Sequence, residues 1–417
     1  IIEDGQFVVI KPNLIGTRHV AGGTVQTLGM FVTDPYRTGE VQVPPKVNGM
    51  TADWRVARAL VELVREVNPS GKLYVMECSG EGQVSKTFEL LGYSKENLPG
   101  VDEFIGMDET GDGYRAVDSD DLEIIDLKEK QQYTKLPKFL NNKYYFDKTY
   151  YSADVVISLC CLKNHMNAAF TGGIKNVGIG AMPGRIYGNS KNQINRSMTI
   201  DHMWEPINDF IHDFYIAKPV QFVLTDGLQG LAYGPQAQGA PSYEKAKMNM
   251  RLILASKDPA AADAVHATIV GVDPQKVPYL QDVARDCGYT ADTSRITVVG
   301  NVRVDEVKKP FPRLKGLLGK IYSKPSEALY SDYEPPIFEV AEIKVDDDSL
   351  TVKVNVDPTI TKIEMFTDGR LVESFTGDLD TLTHALDGPV SKGPHELALY
   401  AYDKVLNCSY KTIKFEF

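Results

Sequence analysis

Residues 153–184 read ADVVISLCCLKNHMNAAFTGGIKNVGIGAMPG, and this stretch determines the fold expected for most of the chain. Its apolar run 155–161 is rich in β-branched residues and is typical of a buried strand in a parallel sheet. Ionisable residues follow the run directly, and a glycine-dense segment begins at Thr171. In open α/β sheets, ligands bind beyond the carboxyl ends of the strands. The stretch therefore predicts a strand that leads into a ligand site.

The rest of the first 300 residues repeats this layout of strands and helices. Further strands are predicted at 7–10, 73–76, 220–224 and 252–256, and helices at 53–67 and 260–270. Thr51 is the expected N-cap of the first helix. The segment 16–47 shows little periodicity and is a candidate lid or substrate loop. Alternating strands and helices predict an α/β fold with a parallel or mixed sheet and flanking helices.

Polar side chains placed just after separate strands should meet at one edge of such a sheet. On this argument the candidate ligand-binding residues are Lys11, Asn13, Glu77, Lys163, Gly172, Gly173, Asn176 and Asp226. Glycine lets the backbone come close to a ligand, and consecutive N–H groups can then hold an anion. The lysines add positive charge, and the carboxylates would balance it or bind a hard cation. The predicted ligand is small and anionic or nucleotide-like.

The candidate catalytic residues are His165, Lys175 and His202. Histidine titrates near neutral pH, so it suits proton transfer or metal ligation. Converging lysines would lower the pKa of at least one of them and give a base or a nucleophile. A simpler interpretation stays open, in which the lysines are separately solvated and the histidines are structural. In that case Asp263 is only a charge near a helix N-terminus.

Composition excludes several classes of protein. The 417 residues carry a formal net charge of −11, which argues against nucleic-acid binding, and no apolar run is long enough to span a membrane. The five cysteines lack CxxC or ferredoxin spacing, so we expect neither a cysteine-based zinc site nor an iron–sulfur cluster. Because the chain begins at Ile1 rather than Met, we expect a removed leader and an extracytoplasmic location, in the periplasm or cell envelope.

The pattern changes near the C-terminus. We expect an α/β domain over 1–309, a lysine- and proline-punctuated linker over 310–336, and a separate domain over 337–417. The last 81 residues hold seven short alternating strands separated by turns, which is typical of an immunoglobulin-like β-sandwich. The segment 393–403 resembles the late strands of bacterial immunoglobulin-like domains. This domain is a candidate for binding a glycan or a protein partner.

Several motifs together resemble one family. They are 9–14 (VIKPNL), 162–165 (LKNH), 171–176 (TGGIKN), 225–227 (TDG), 234–235 (GP) and 258–264 (DPAAADA). They resemble the bacterial and archaeal family called domain of unknown function 362. The resemblance covers nearly all of residues 1–300 and implies a shared fold and shared positions, but no particular activity. Some relatives carry ferredoxin-type cysteine motifs, which this chain lacks.

The central stretch is also similar to a motif of the nickel-dependent lactate racemases. The likeness lies in residues 169–175 (AFTGGIK), with His165 ten positions before Lys175. It implies that Lys175 anchors a nickel–pincer nucleotide and that His165 transfers protons at the substrate carbon. The next histidine in the chain, His202, is distant from the motif, so the nickel ligand of those enzymes has no counterpart. The metal and the cofactor are therefore left open.

Two classes of function follow. The first is an enzyme that acts on a small anionic or nucleotide-like ligand by proton transfer or isomerisation, like a racemase. The second is a non-catalytic binding protein of the cell envelope, in which the sandwich serves for docking. A converging group of lysine and histidine side chains with shifted pKa values would favour the enzyme. A wide, exposed groove would favour the binding protein.

Overall fold

A computed structural model describes the chain in separate stretches. The described residues are 1–15, 24–27, 30–33, 49–78, 84–107, 122–126, 143–188, 200, 204–237, 240–241, 243–313, 333–346, 348–386 and 392–416. His202 and most of the expected lid at 16–47 lie outside them. No helix in these stretches is long and apolar enough to cross a membrane.

The first part alternates strands and helices. In chain order its elements are β1 (Val8–Pro12), β2 (Thr24–Thr27), β3 (Met30–Thr33), α1 (Trp54–Val67), β4 (Leu73–Glu77), α2 (Val84–Leu90), β5 (Glu103–Gly106), β6 (Leu122–Asp126), β7 (Lys143–Asp147), α3 (Lys148–Ser152), β8 (Val155–His165), β9 (Ala169–Phe170), α4 (Gly173–Gly180), α5 (Gly184–Tyr187), α6 (Trp204–Ala217), β10 (Phe222–Leu231), α7 (Tyr243–Ala246), β11 (Lys247–Met248), β12 (Leu252–Ser256), α8 (Pro259–Ile269), α9 (Pro278–Cys287) and α10 (Val304–Val307).

The main sheet has a parallel centre in the order β10-β8-β1-β4-β5. The chain builds the sheet in one direction from β1 through β4 to β5, and in the other direction through β8 to β10. The strand order therefore reverses between β1 and β8, and in open α/β sheets ligands bind at this switch point. Strands β9, β11 and β12 pair in the antiparallel sense, so the sheet is mixed, as the fold class predicted.

Helices cover both faces of the sheet. Strand β8 is buried along its whole length, because its side chains alternate between the two faces. Ile157 and Leu159 pack with α1 and α2 on one face. Val156 and Cys160 pack with α4, α6, α8 and α9 on the other. This double burial explains why the central run reads as continuously apolar.

Two local predictions were wrong. Thr51 does not cap the first helix, since the Asp53 side chain accepts the N–H of Arg55 at the start of α1. Strand β8 does not end at residue 161, because its pairing with β10 continues to the pair Lys163–Leu231. Lys163 and His165 thus lie within the end of a strand rather than in the loop that follows it.

The C-terminal part is an antiparallel β-sandwich, as predicted. Its strands are β13 (Phe338–Asp346), β14 (Ser349–Val356), β15 (Ile360–Thr367), β16 (Arg370–Thr376), β17 (Thr381–Ala385), β18 (Pro394–Asp403) and β19 (Cys408–Glu416). They form two sheets in the orders β13-β14-β17 and β16-β15-β18-β19. Side chains such as Val352, Ile363 and Leu399 fill the space between them.

The sandwich packs against the α/β part. Tyr402 and Leu406 join the same apolar cluster as α8 and α9. The Lys308 ammonium donates to the Val405 carbonyl at 3.0 Å and to the Asn407 side-chain oxygen at 2.7 Å. Phe311 is 3% exposed in the α/β core, so the first residues of the expected linker belong to that body.

Candidate functional site

Two lysines from neighbouring strands meet at the switch point. Lys11 lies in β1 and Lys163 near the end of β8, and each side chain is at most 1% exposed. Asn13 joins them: its side-chain oxygen accepts the Lys163 ammonium at 2.7 Å. Its amide nitrogen donates at 2.9 Å to the side-chain oxygen of Asn176, which also accepts the Lys11 ammonium at 3.0 Å. The predicted convergence of strand ends is thus present in the structure.

Glu77 neutralises one of the two lysines. Its carboxylate lies 2.8 Å from the Lys11 nitrogen, and both groups are almost fully buried. The same carboxylate accepts the backbone N–H groups of Cys78 at 2.8 Å and of Leu14 at 2.7 Å. A buried ion pair is stable only when further hydrogen bonds satisfy its remaining lone pairs, and Glu77 meets that condition. Lys11 and Glu77 therefore form a fixed, neutral unit.

Lys163 is held differently. Among the described residues, its ammonium meets neutral oxygens, namely Asn13 Oδ1 and the Met50 carbonyl, both at 2.7 Å. Burial disfavours the charged form and lowers the pKa of Lys163 to about 8. The nearby charge of Lys11 also lowers the pKa of Lys163, while Cys161 raises it. Lys163 is consequently a buried cation without a carboxylate partner in the described part of the chain.

Asn176 fixes the relation between α4 and the strands. Its amide nitrogen donates to the Lys11 carbonyl at 3.1 Å and to the Ser158 hydroxyl at 3.0 Å. Ser158 in turn donates to the Gly173 carbonyl at 2.9 Å, at the first turn of the same helix. Lys175, the neighbour of Asn176 in α4, is 8% exposed. The helix therefore brings Asn176 into the lysine cluster, while Lys175 is buried next to it in the chain.

The Gly172–Gly173 pair has a role that the sequence did not predict. The Asp263 carboxylate accepts the backbone N–H groups of Gly173 at 2.6 Å and of Ile174 at 3.0 Å. A Cβ atom on Gly172 would overlap that carboxylate. The N–H groups at the start of α4 are therefore occupied by an internal anion. Burial raises the pKa of Asp263 to about 7, although the two N–H donors act to lower it.

Asp226 lies on β10, next to β8, but its carboxylate points to backbone groups. It accepts the N–H of Asp53 at 2.7 Å and of Leu228 at 3.0 Å. Burial raises the pKa of Asp226 to about 6. Asp226 therefore holds the start of α1 against β10.

His165 is placed where β8 turns into β9. Its Nδ1 atom accepts the backbone N–H groups of Asn167 at 3.1 Å and of Ala168 at 3.2 Å. A ring nitrogen that accepts two N–H donors carries no proton, so the neutral ring carries its proton on Nε2. A proton on Nδ1 would face the N–H groups of Asn167 and Ala168 and would be repelled by both. His165 is thus arranged as a hydrogen-bond donor through Nε2.

Sequence reasoning missed Asp263 as the partner of α4. Its signal was the motif at 258–264, which places an acid in the first turns of α8. From that motif Asp263 could be either a carboxylate that balances the lysines or binds a hard cation, or a charge near the N-terminus of α8 itself. Within the described residues, no group of three or more histidine, cysteine, aspartate or glutamate side chains is arranged to hold a metal ion.

Comparison with solved structures gives only distant likenesses. The fibronectin(III)-like modules of CbhA from Clostridium thermocellum are 16% identical, with 19% of this chain and 94% of that chain covered and a TM-score of 0.17. The spore cortex lytic enzyme SleM of Clostridium perfringens is 10% identical, with 22% of this chain and 30% of that chain covered and a TM-score of 0.18. The β-glucuronidase of Bacteroides uniformis is 11% identical, with 87% of this chain and 30% of that chain covered and a TM-score of 0.15. These likenesses carry no argument about fold or function.

Comparison of sequences is more informative. No curated protein matches the chain. A family model matches residues 41–268, which is more than half of the chain and includes β8, α4 and most of α8. The chain therefore belongs to the family described as domain of unknown function DUF362.

Proposed function

We propose that the switch point between β1 and β8 binds a small ligand that carries a carboxylate or phosphate group. The observation that carries the proposal is the environment of Lys163. Its ammonium is buried, and the oxygens that it meets in the described residues are neutral. A buried cation without a counter-charge is costly unless a partner neutralises it. An anionic ligand would supply that charge.

The surrounding charges favour an anion over a cation. Glu77 is already paired with Lys11, and its oxygens accept two backbone N–H groups. Asp263 and Asp226 are likewise engaged by backbone donors. The cluster of Lys11, Lys163 and Glu77 therefore has a net positive charge while both lysines are protonated. The switch-point location supports the same conclusion.

Proton transfer is the second candidate function. One observation favours Lys163 over His165 as the group that would transfer the proton. The pKa of Lys163, about 8, lets its ammonium lose a proton near neutral pH, as a general base or acid requires. His165 faces two N–H donors at Nδ1, so the imidazolium form that an acid/base cycle needs is disfavoured. An isomerase of this kind would use Lys163 for the proton and His165 as a donor to the ligand.

The test is the thermal stability of the full chain with inorganic phosphate, lactate or adenosine monophosphate, each compared with sodium chloride at equal ionic strength. A ligand that binds the folded state raises Tm in proportion to ln(1 + [L]/Kd). We expect at least one of these anions to raise the Tm of the unmodified protein and to leave the Tm of Lys163→Met unchanged.

Lys218→Met is the matched control. The Lys218 ammonium is also partly buried and donates to a backbone carbonyl, that of Ala153, but at the opposite end of β8. This variant should keep the anion-induced rise in Tm. Equal rises in both variants, or none in the unmodified protein, would contradict the proposal. Loss of deuterium from the α-carbon of labelled lactate into water would then separate an isomerase from a binding protein.

A further inference from the structure

Three buried polar side chains behind β8 have no hydrogen-bond partner in the part of the chain that the structure describes. They are His266 in α8, Tyr279 in α9 and Thr171 just before α4, and their side chains are 0–2% exposed. Neither ring nitrogen of His266, nor the Tyr279 hydroxyl, nor the Thr171 hydroxyl forms a hydrogen bond among the described residues. Buried polar groups in folded proteins are almost always hydrogen-bonded, so three such groups together need an explanation.

Two of the three groups flank one side chain, and the third follows it in the chain. The ring of Phe170 lies 5.1 Å from the His266 ring and 5.9 Å from the Tyr279 ring, measured between centroids. Thr171 follows Phe170 directly, and its N–H donates to the Lys163 carbonyl at 2.9 Å. Burial lowers the pKa of His266, and the same carbonyl partly offsets this effect without the geometry of a hydrogen bond. The polar atoms therefore belong to one region between β8, α8 and α9.

The chemistry of this region selects a neutral occupant. Burial lowers the pKa of His266 to about 3, so its ring is uncharged at neutral pH. Burial raises the pKa of the Tyr279 hydroxyl, and the nearby Asp263 carboxylate, which would repel an anion, adds to that rise. Hydroxyl and imidazole groups can each donate and accept, which is the requirement for binding water.

We propose that ordered water molecules occupy the space between His266, Tyr279 and Thr171 and bridge their polar atoms. Buried waters typically make about three hydrogen bonds to groups that would otherwise be unsatisfied. The unpartnered atoms belong to hydroxyl and imidazole groups, which can donate to and accept from water. They lie on α8, on α9 and in the segment between β9 and α4. This internal water site differs from the anion site in the atoms that it uses: it involves side chains of α8, α9 and Thr171, whereas the anion site involves the Lys163 ammonium.

A crystal structure of the full chain at about 1.5 Å resolution tests the proposal directly. We expect electron density for at least one water within hydrogen-bonding distance of the Tyr279 hydroxyl and a His266 ring nitrogen. A well-ordered region without such density would overturn the proposal.

Tyr279→Phe gives a second test through the sign of its effect on Tm. If the hydroxyl binds water, its removal lowers Tm by about 1–4 °C. If the hydroxyl is dry and unpartnered, its removal raises Tm. Tyr93→Phe is the matched control, because the buried Tyr93 hydroxyl donates to the Ala52 carbonyl at 3.0 Å and its loss must lower Tm. A rise in Tm for Tyr279→Phe alone would refute a water site.

Discussion

The Asp263 carboxylate accepts the backbone N–H of Gly173 at 2.6 Å, across 90 residues of sequence. Asp263 lies inside α8, yet it serves as the acceptor at the beginning of α4. A negative charge there is favourable, because the helix dipole and the free N–H groups point towards it. Since α4 carries Asn176, this contact fixes the position of the lysine cluster on the sheet.

Gly172→Ala tests the closeness of this contact. The new Cβ would overlap the Asp263 carboxylate, so α4 or α8 would have to shift. We expect a loss of about 1–3 kcal/mol in the free energy of unfolding, measured by urea denaturation. Gly300→Ala is the control, because a Cβ there meets no atom within 4 Å. Similar stabilities for the two variants would show that the helices are not in close contact.

Asp263 also predicts a dependence of stability on pH. Its folded-state pKa of about 7 lies above the ordinary value of 3.8, so the folded protein holds this proton more tightly than the unfolded chain. The resulting stability is present below about pH 4 and is lost as the pH rises towards 7. Asp226, with a pKa of about 6, likewise contributes stability that is lost as the pH rises.

Asp263→Asn removes this contribution, since an amide does not titrate. We therefore expect the free energy of unfolding of the variant, relative to the unmodified protein, to increase between about pH 4 and pH 7 and to stay level above that. Urea denaturation at several pH values measures the difference. A constant difference would mean that Asp263 keeps an ordinary pKa in the folded state.

The ion pair of Lys11 and Glu77 should be strongly coupled. Removing one partner leaves a buried charge alone, so Lys11→Met and Glu77→Gln should each lower the free energy of unfolding by about 3–5 kcal/mol. The double variant should lose much less than the sum of the two losses. The exposed pair of Arg58 and Glu62 is the control, where a single change should cost about 0–1 kcal/mol. Additive losses at Lys11 and Glu77 would exclude a direct pairing.

The junction with the sandwich is testable at Lys308. Replacing Lys308 by Met removes the donor to the Val405 carbonyl and to Asn407 Oδ1 and leaves both oxygens buried. We expect a loss of about 1–3 kcal/mol in the free energy of unfolding. Lys309→Met is the adjacent control, because Lys309 is exposed. Equal effects of the two changes would show that the junction adds nothing to stability.

Local patterns in the sequence predicted the parallel strands β1, β4, β8 and β10 and the polar residues near their ends, but not β5. The apolar run before Lys163 and the strand before Lys11 predicted one shared edge, and hydrogen bonds through Asn13 and Asn176 link these two lysines. All seven strands of the sandwich were also predicted, because alternating residues mark a sheet with one buried face.

Contacts between distant segments were not predictable in this way. The engagement of Gly173 by Asp263 depends on how α8 packs against α4, which no local pattern encodes. The reversal of strand order between β1 and β8 is likewise a property of the whole sheet. The tautomer of His165 depends on two backbone N–H groups in a tight turn, and no local sequence pattern indicates which ring nitrogen carries the proton.

The central claim is that Lys163 supplies the positive charge that binds an anion. Calorimetric titration with lactate between about pH 6.5 and 9.5 tests it most directly, because the charge of lactate is constant over this range. The pKa of Lys163, about 8, predicts that the affinity falls as the pH rises through that value and that Lys163→Met binds weakly at every pH. Affinity that is independent of pH and unchanged in Lys163→Met, or no binding at millimolar lactate and equally none of phosphate, would contradict the account.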